Sequence, residues 1–290
     1  MIEQQILDRY QRDLTLKGYS LRTKKTYFRS LVHFFQRCTE PLDSITKEHI
    51  KDYLFYLIRD KKLSESTLRQ ARSAICYFFS QTMSRPIKVE SIPCPKKVRR
   101  LPDFFSADEV FHIINATENL KHKTMLILAY SSGIRVGELV NLKVSDICRK
   151  SMRLKIRQGK GWKDRYTILS SVCLKYLEIY WKSYHPDVWL FPGRKPGTPL
   201  STRAAQHAYY KAKEKSGITK PGGIHTLRHS FATHMLETGS GIFQLQKFLG
   251  HKHLRTTLVY LHITEEKIIA RSPLDVFAET FDHELFRNCK

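Results

Sequence analysis

Histidines, arginines and a tyrosine crowd the stretch HTLRHSFATHMLETGSGIFQLQKFLGHKHLRTTLVYLHI, residues 225–263. In HTLRH, His225 and Arg228 are three residues apart, so on a helix their side chains reach the same point. An arginine offers a planar fork of donors matched to phosphate oxygens, and a histidine can add a hydrogen bond or move a proton. Two further cations stand where loops can meet that point. Arg135 in SGIRVGELVNL follows a helix-ending glycine, and Lys160 in QGKGWKDRY sits at the tip of a β-hairpin. His251 in FLGHKH and Tyr260 in TTLVYLH complete a ring of phosphate ligands about one hydroxyl nucleophile.

The composition says which phosphate. The chain has 290 residues, a formal net charge of +23 and 41% apolar residues, so it can bury an ordinary core under a strongly basic surface. That balance describes a folded protein rather than a basic disordered tail. It favours a polyanionic partner, nucleic acid first, because each phosphate neutralised releases condensed counterions. The bland alternative is a soluble basic surface with no such partner. Cys38, Cys76, Cys94, Cys148, Cys173 and Cys289 lie far apart without a CxxC pair, and no signal peptide precedes them, which fits a reducing cytoplasm. An apolar run such as MLILAY, residues 125–130, is far too short for a bilayer, which takes ~20 residues, so no membrane span is expected.

The elements that must position these residues read as a mainly α fold with a small β-sheet: a helical amino-terminal domain followed by a mixed α+β domain. Residues 1–84 contain short amphipathic helices. Ser20 can cap a helix with Tyr27, Leu31, Phe34 and Phe35 on one face, and Leu68, Ala71, Ile75, Phe78 and Phe79 share another. The opposite faces carry Arg22, Lys24, Lys25, Arg29, Arg69 and Arg72, which would suit either DNA backbone or solvent. Residues 85–105 read as an extended linker, interrupted by Pro86, Pro93, Pro95 and Pro102 and charged by Lys96, Lys97, Arg99 and Arg100. From Ser106 a helix begins in SADEVFHII, another ends at Gly133, and RLKIR and RYTIL alternate as strands around QGKGWKD. Helices then dominate. The last segment, residues 272–290, combines a Ser272–Asp275 capping spacing with Leu274, Phe277, Phe281 and Leu285 on one helical face.

With GIRVGEL around Arg135, GKGWKDR around Lys160, HTLRHSFATHML around His225 and Arg228, LGHKHLRTT around His251 and the later Tyr260, the chain resembles the tyrosine recombinases, or phage integrases, and among them the Xer-like bacterial branch. The resemblance spans the whole chain. It implies a helical DNA-binding domain (1–84), a basic linker (85–105), a catalytic domain (106–271) and a terminal helix (272–290) that docks into a neighbouring protomer; folding back on its own domain is the alternative for that helix. By resemblance, Tyr260 attacks the scissile phosphodiester to give a 3′-phosphotyrosyl link and a free 5′-hydroxyl. Arg135 and Arg228 grip the nonbridging oxygens, Lys160 protonates the departing 5′-oxygen, His225 accepts the Tyr260 proton and His251 hydrogen-bonds the phosphate. Glu138 either orients the cleft or is a helix-surface carboxylate.

The covalent link keeps the energy of the broken ester, so strand exchange needs neither cofactor nor ATP. The cationic set supplies what a metal otherwise would, and no catalytic metal is expected. A zinc reading of His225 and His229 as H-x-x-x-H fails because Thr226 stands where the general-base glutamate belongs. His234 and His253 read as structural or solvent-facing, His262 as a cap, and Trp162 as either a stacking residue or a packed hairpin aromatic. The expected partner is double-stranded DNA with paired inverted half-sites, bound by a homotetramer on two duplexes, alone or together with a related recombinase, in the cytoplasm at the nucleoid. The tasks open to such a protein are chromosome or plasmid dimer resolution and mobile-element integration or excision. The competing functions are type IB topoisomerase-like relaxation and a catalytically silent DNA-binding accessory protein.

Overall fold

The structure, a computed structural model, describes residues 4–85, 102–157 and 164–261. The chain forms two compact units, residues 1–100 and 101–290. The linker's central residues, 86–101, lie outside the described residues, as do the hairpin tip, 158–163, and everything from His262 onward.

The first unit is helical: α1 (Gln4–Leu16), α2 (Leu21–Arg37), α3 (Lys47–Arg59) and α4 (Glu65–Tyr77), the last running into a π-turn over Phe78–Thr82. The hydroxyls of Ser20 and Ser64 cap α2 and α4 by accepting from the amides of Thr23 and Thr67, satisfying donors that a helix leaves open at its start. Of the expected stripes, Leu31, Phe34, Leu68, Ala71, Ile75, Phe78 and Phe79 are buried, while Tyr27 and Phe35 pack at the edge of that core. The widened turn has a purpose in the packing. It brings Phe78 edge-on to Tyr10 and lets Thr82 donate to Asp13 at 2.6 Å, tying the end of α4 to α1. Arg22, Lys25 and Arg29 are exposed, but Arg69 and Arg72 are half-buried, so the basic face is less uniform than the sequence suggests.

The second unit contains α5 (Ala107–Asn115), α6 (Leu120–Ser132), α7 (Val136–Val140), β1 (Ile147–Cys148), β2 (Arg153–Ile156), β3 (Arg165–Ile168), α8 (Ser171–Tyr184), α9 (Thr202–Lys215), α10 (Ile224–Glu237), α11 (Ile242–Leu249) and α12 (Arg255–Leu258). The mainly α fold with one small sheet is therefore as expected. Ser106 and Glu109 close a reciprocal capping box at the start of α5, with bonds of 3.2 and 2.7 Å. The strands form an antiparallel β1-β2-β3 sheet with Leu154 opposite Thr167, placing Leu154 and Ile156 in the core. At the centre lies α6. Its Thr124 to Ala129 run is buried all round, so it carries no polar stripe.

The ends of the segment read as linker are held by the two units. Arg85 donates to the carbonyl of Asp43 at 2.8 Å in the first, and Phe105 is fully buried in the second, its amide donating to Ser230 at 2.9 Å.

Candidate active site

Gly133 ends α6 with φ +61, and a side chain there would collide with the Phe231 ring. The turn it permits delivers Arg135 as the residue before α7 and leaves the Gly133 carbonyl facing α10. From α10, Arg228 donates through Nη1 to that carbonyl at 2.6 Å and through Nη2 to the Leu249 carbonyl at 2.7 Å and to His251 Nε2 at 3.1 Å. Its guanidinium is thereby pinned between the ends of α6 and α11. No hydrogen bond from its Nε–H or its second Nη1–H is seen among the described residues.

Arg135 donates through Nη1 to Glu138 Oε1 at 2.8 Å, and its backbone amide donates to Glu138 Oε2 at 2.9 Å. The same carboxylate takes a bidentate pair from Arg165 at 2.9 and 2.8 Å. Arg165 in turn donates through Nε to the Phe248 carbonyl at 3.0 Å. This guanidinium lies where a side chain on residue 250 would project, and Gly250, at φ +64, leaves that space open. One carboxylate thus joins the start of α7, the start of β3 and, through Arg165, the end of α11. Glu138 is therefore a largely buried carboxylate holding two arginines rather than one on the helix surface.

Past Gly250, His251 Nδ1 lies 3.0 Å from Thr257 Oγ1. Because Arg228 can only donate, His251 Nε2 accepts and its ring proton lies on Nδ1, pointing at Thr257. Tyr260 is 4% exposed, packed with Phe231, Leu236, Leu245 and Leu249, its ring parallel to His251 with 6.5 Å between centroids. The hydroxyl of Tyr260 is 2.8 Å from Nδ1 of His229.

The sequence reading missed that contact. His229 entered it only as half of a rejected zinc pair, although its place four residues after His225 puts both on one face of α10. Arg165 was missed too, quoted in GKGWKDR with no role. His225 itself is exposed on the first turn of α10, near enough to Arg228 and Arg135 to feel their charge. Tyr130 reaches His234 Nδ1 at 2.8 Å, which makes His234 structural, and His253 is exposed. Lys160 and Trp162 lie outside the described residues.

The phage integrase family pattern matches residues 103–267, and the phage integrase N-terminal SAM-like domain matches residues 6–89. The chain belongs to the phage integrase family. Tyrosine recombinases are among its relatives: the chain is 32% identical over 282 residues to tyrosine recombinase XerC of Natranaerobius thermophilus, covering 90% of this chain and 89% of the relative. It is 36% identical over 234 residues to a tyrosine recombinase of Pseudothermotoga lettingae, covering 78% and 81%. Among solved structures, the XerA recombinase shares 28% identity with a TM-score of 0.52, covering 95% of this chain and 97% of that one. A lambda integrase dimer bound to a COC′ core site shares the fold with a TM-score of 0.74 at 23% identity, covering 90% and 95%. This protein is a tyrosine-type site-specific DNA recombinase of the Xer-like branch.

The electrostatics of the candidate site divide it. Burial opposes ionisation of Glu138, but the hydrogen bonds and charge of Arg165, with those of Arg135, outweigh it and hold the carboxyl at about 2. Burial and the nearby Arg135 draw Arg228 down to about 9, still cationic at neutral pH. The histidines go the other way. Burial and then Arg228 bring His251 to about 3 and His229 to about 4, and partial desolvation with Arg228 and Arg135 lowers His225. Burial raises the Tyr260 phenol, against the pull of the two arginines.

Proposed function

We propose that this recombinase cleaves and rejoins DNA through Tyr260, which attacks the scissile phosphodiester to form a 3′-phosphotyrosyl intermediate and release a 5′-hydroxyl. The observation that carries the reading is the convergence of Arg135, Arg228, His251 and the Tyr260 hydroxyl from four separate chain segments onto one small volume. Arg228, clamped by two carbonyls, and Arg135, clamped by Glu138, hold fixed positive charge where a pentacoordinate phosphorane would develop negative charge, so little reorganisation is needed during reaction. Lys160 is the general acid for the leaving 5′-oxygen, and His225 and His251 border the phosphate. The 5′-hydroxyl of a second strand reverses the step, so the ester energy is conserved and no ATP is consumed.

In this reading the helical unit, residues 1–84, and the catalytic domain, residues 106–271, hold duplex DNA carrying paired inverted half-sites, with the basic linker along the backbone. Four subunits act on two duplexes, alone or with a related recombinase, linked by the terminal helix 272–290. Lambda integrase, which shares the fold, forms a tetramer bound to a Holliday junction, which supports the extension. No helix among the described residues is long and apolar enough to cross a membrane, and we place the protein in the cytoplasm at the nucleoid. Dimer resolution or mobile-element integration and excision is the task. Neither topoisomerase-like relaxation nor a silent accessory role is favoured by the family relationship or by the complete set of site residues.

Trapping on a nicked duplex, followed by peptide mass spectrometry, tests the chemistry. A DNA adduct on Tyr260 is expected, and an adduct on another residue, or none, overturns the assignment. Recombination between two sites, rather than relaxation of a single supercoiled circle, separates recombinase from topoisomerase.

A further inference from the structure

We propose that His229, rather than His225, accepts the proton of Tyr260 during strand cleavage. The inference rests on Tyr260 being the nucleophile and adds the identity of its base. The two side chains are in direct contact, with Nδ1 of His229 2.8 Å from the phenol oxygen and the rings tilted 42° at 5.8 Å. A base must reach the proton it removes, and this one already does. Tyr260 is 4% exposed and walled by apolar side chains, which keeps bulk water from taking the role.

The direction of the bond follows from the surroundings. Burial keeps the phenol protonated. The groups facing His229 are Arg228 and His225 on its own helix, Asp103 from the segment before α5, and Tyr260 and His251 from beyond α11. Burial and the positive charge of Arg228 keep the imidazole neutral, with Asp103 opposing. The phenol therefore donates, and the Nδ1 lone pair accepts. As the bond from the Tyr260 oxygen to phosphorus forms and the bond to the 5′-oxygen breaks, the phenolic proton passes to Nδ1 and leaves an imidazolium. The 5′-oxygen takes a separate proton from the general acid assigned to Lys160. In rejoining, both protons return.

A weak base suffices, because the phenol oxygen becomes strongly acidic as it bonds to phosphorus. The substrate also strengthens the base. A phosphate anion seated between Arg135 and Arg228 cancels part of the field that depresses His229. The base is thus weakest when the site is empty and strongest when DNA fills it.

The test uses the full chain and a nicked duplex bearing the site selected from a random-sequence duplex library by binding. His229→Asn keeps an acceptor near the Nδ1 position but cannot hold the proton. It should slow single-turnover adduct formation by roughly 10²–10³-fold, within the range for a lost general base. It should also remove the acid limb of the pH–rate profile and leave DNA affinity within a few fold. Replacing Tyr260 by 3,5-difluorotyrosine, whose phenol is more acidic, should restore most of the rate in His229→Asn while changing little beside an intact His229. Adduct formation at the parent rate in His229→Asn, a gain in rate, or no rescue by fluorination overturns the proposal, as does a His225→Asn variant that alone reproduces the loss. Should His229→Asn fail to fold, the parent chain still decides: fluorination of residue 260 should shallow the acid limb, and an unchanged limb refutes the role. An adduct that persists in Tyr260→Phe would instead refute the nucleophile, a separate failure.

Discussion

The two sides of the candidate site are built on opposite electrostatic plans. Around Arg135, Glu138 and Arg165 every group is charged and paired, with Glu138 held at about 2. Around Tyr260, His229 and His251 the groups are neutral at physiological pH, the histidines held at about 4 and 3. The first side keeps a constant field over the working pH range and can stabilise a developing anion. The second holds lone pairs and protons in reserve and can move them. The arginines of the charged side also help hold the histidines neutral, Arg228 foremost among them.

The largest expected break in this comparison is on the neutral side. Tyr260→Phe should abolish covalent attachment while DNA affinity, measured by titration, stays within a few fold, since the hydroxyl serves chemistry rather than binding. Next come the charged donors: Arg228→Ala and Arg135→Ala should each slow adduct formation by ~10²–10³, the usual loss for one such transition-state donor. A near-parental rate in either would remove the charged side from the mechanism.

Glu138→Ala would break the charged side from behind. It leaves Arg165, whose side chain is 12% exposed, without its carboxylate. Urea unfolding should show a loss of about 3–5 kcal/mol, typical of a buried pair missing one partner. A loss below about 1 kcal/mol would mean that water replaces the carboxylate with ease. The pH dependence of stability should then separate the sides. His229 and His251 have folded values below the ordinary imidazole value, so the unfolded chain binds more protons as pH falls below about 6.5, and stability is lost progressively toward about 4 and 3. Glu138 is also depressed, so its contribution persists above the ordinary carboxyl value and is lost only between about 4.5 and about 2. Denaturant unfolding at stepped pH should show the earlier loss diminished in His251→Asn and the later one diminished in Glu138→Gln; a single transition unaffected by both would erase the distinction. The smallest effect lies outside the site, where Ser106→Ala should cost about 1 kcal/mol by uncapping α5, with cleavage unchanged.

Much of this was legible before any coordinates. The capping serines, the apolar stripes, the helix stop at Gly133 and the paired strands follow from local rules of spacing and backbone freedom. Arg135, Arg228, His251 and Tyr260 were named from their motifs, and the structure brings these four near one another, whereas His229 and Arg165 were given no role. The sequence also determined the preference for a polyanionic partner, since net charge is a sum that folding does not change. What only the tertiary structure decided is which member touches which. His225 and His229 lie on one face of α10 and look equivalent along the chain, yet the hydroxyl of Tyr260, 31 residues downstream of His229, meets only the second of them among these two. Glu138 and Arg165 are 27 residues apart, and their pairing depends on β3 and α11 meeting beside the start of α7. Local spacing fixes the side a residue faces. Long-range packing, through the burial and the charges it brings near, fixes whether that residue grips a phosphate, holds a proton or supports a neighbour.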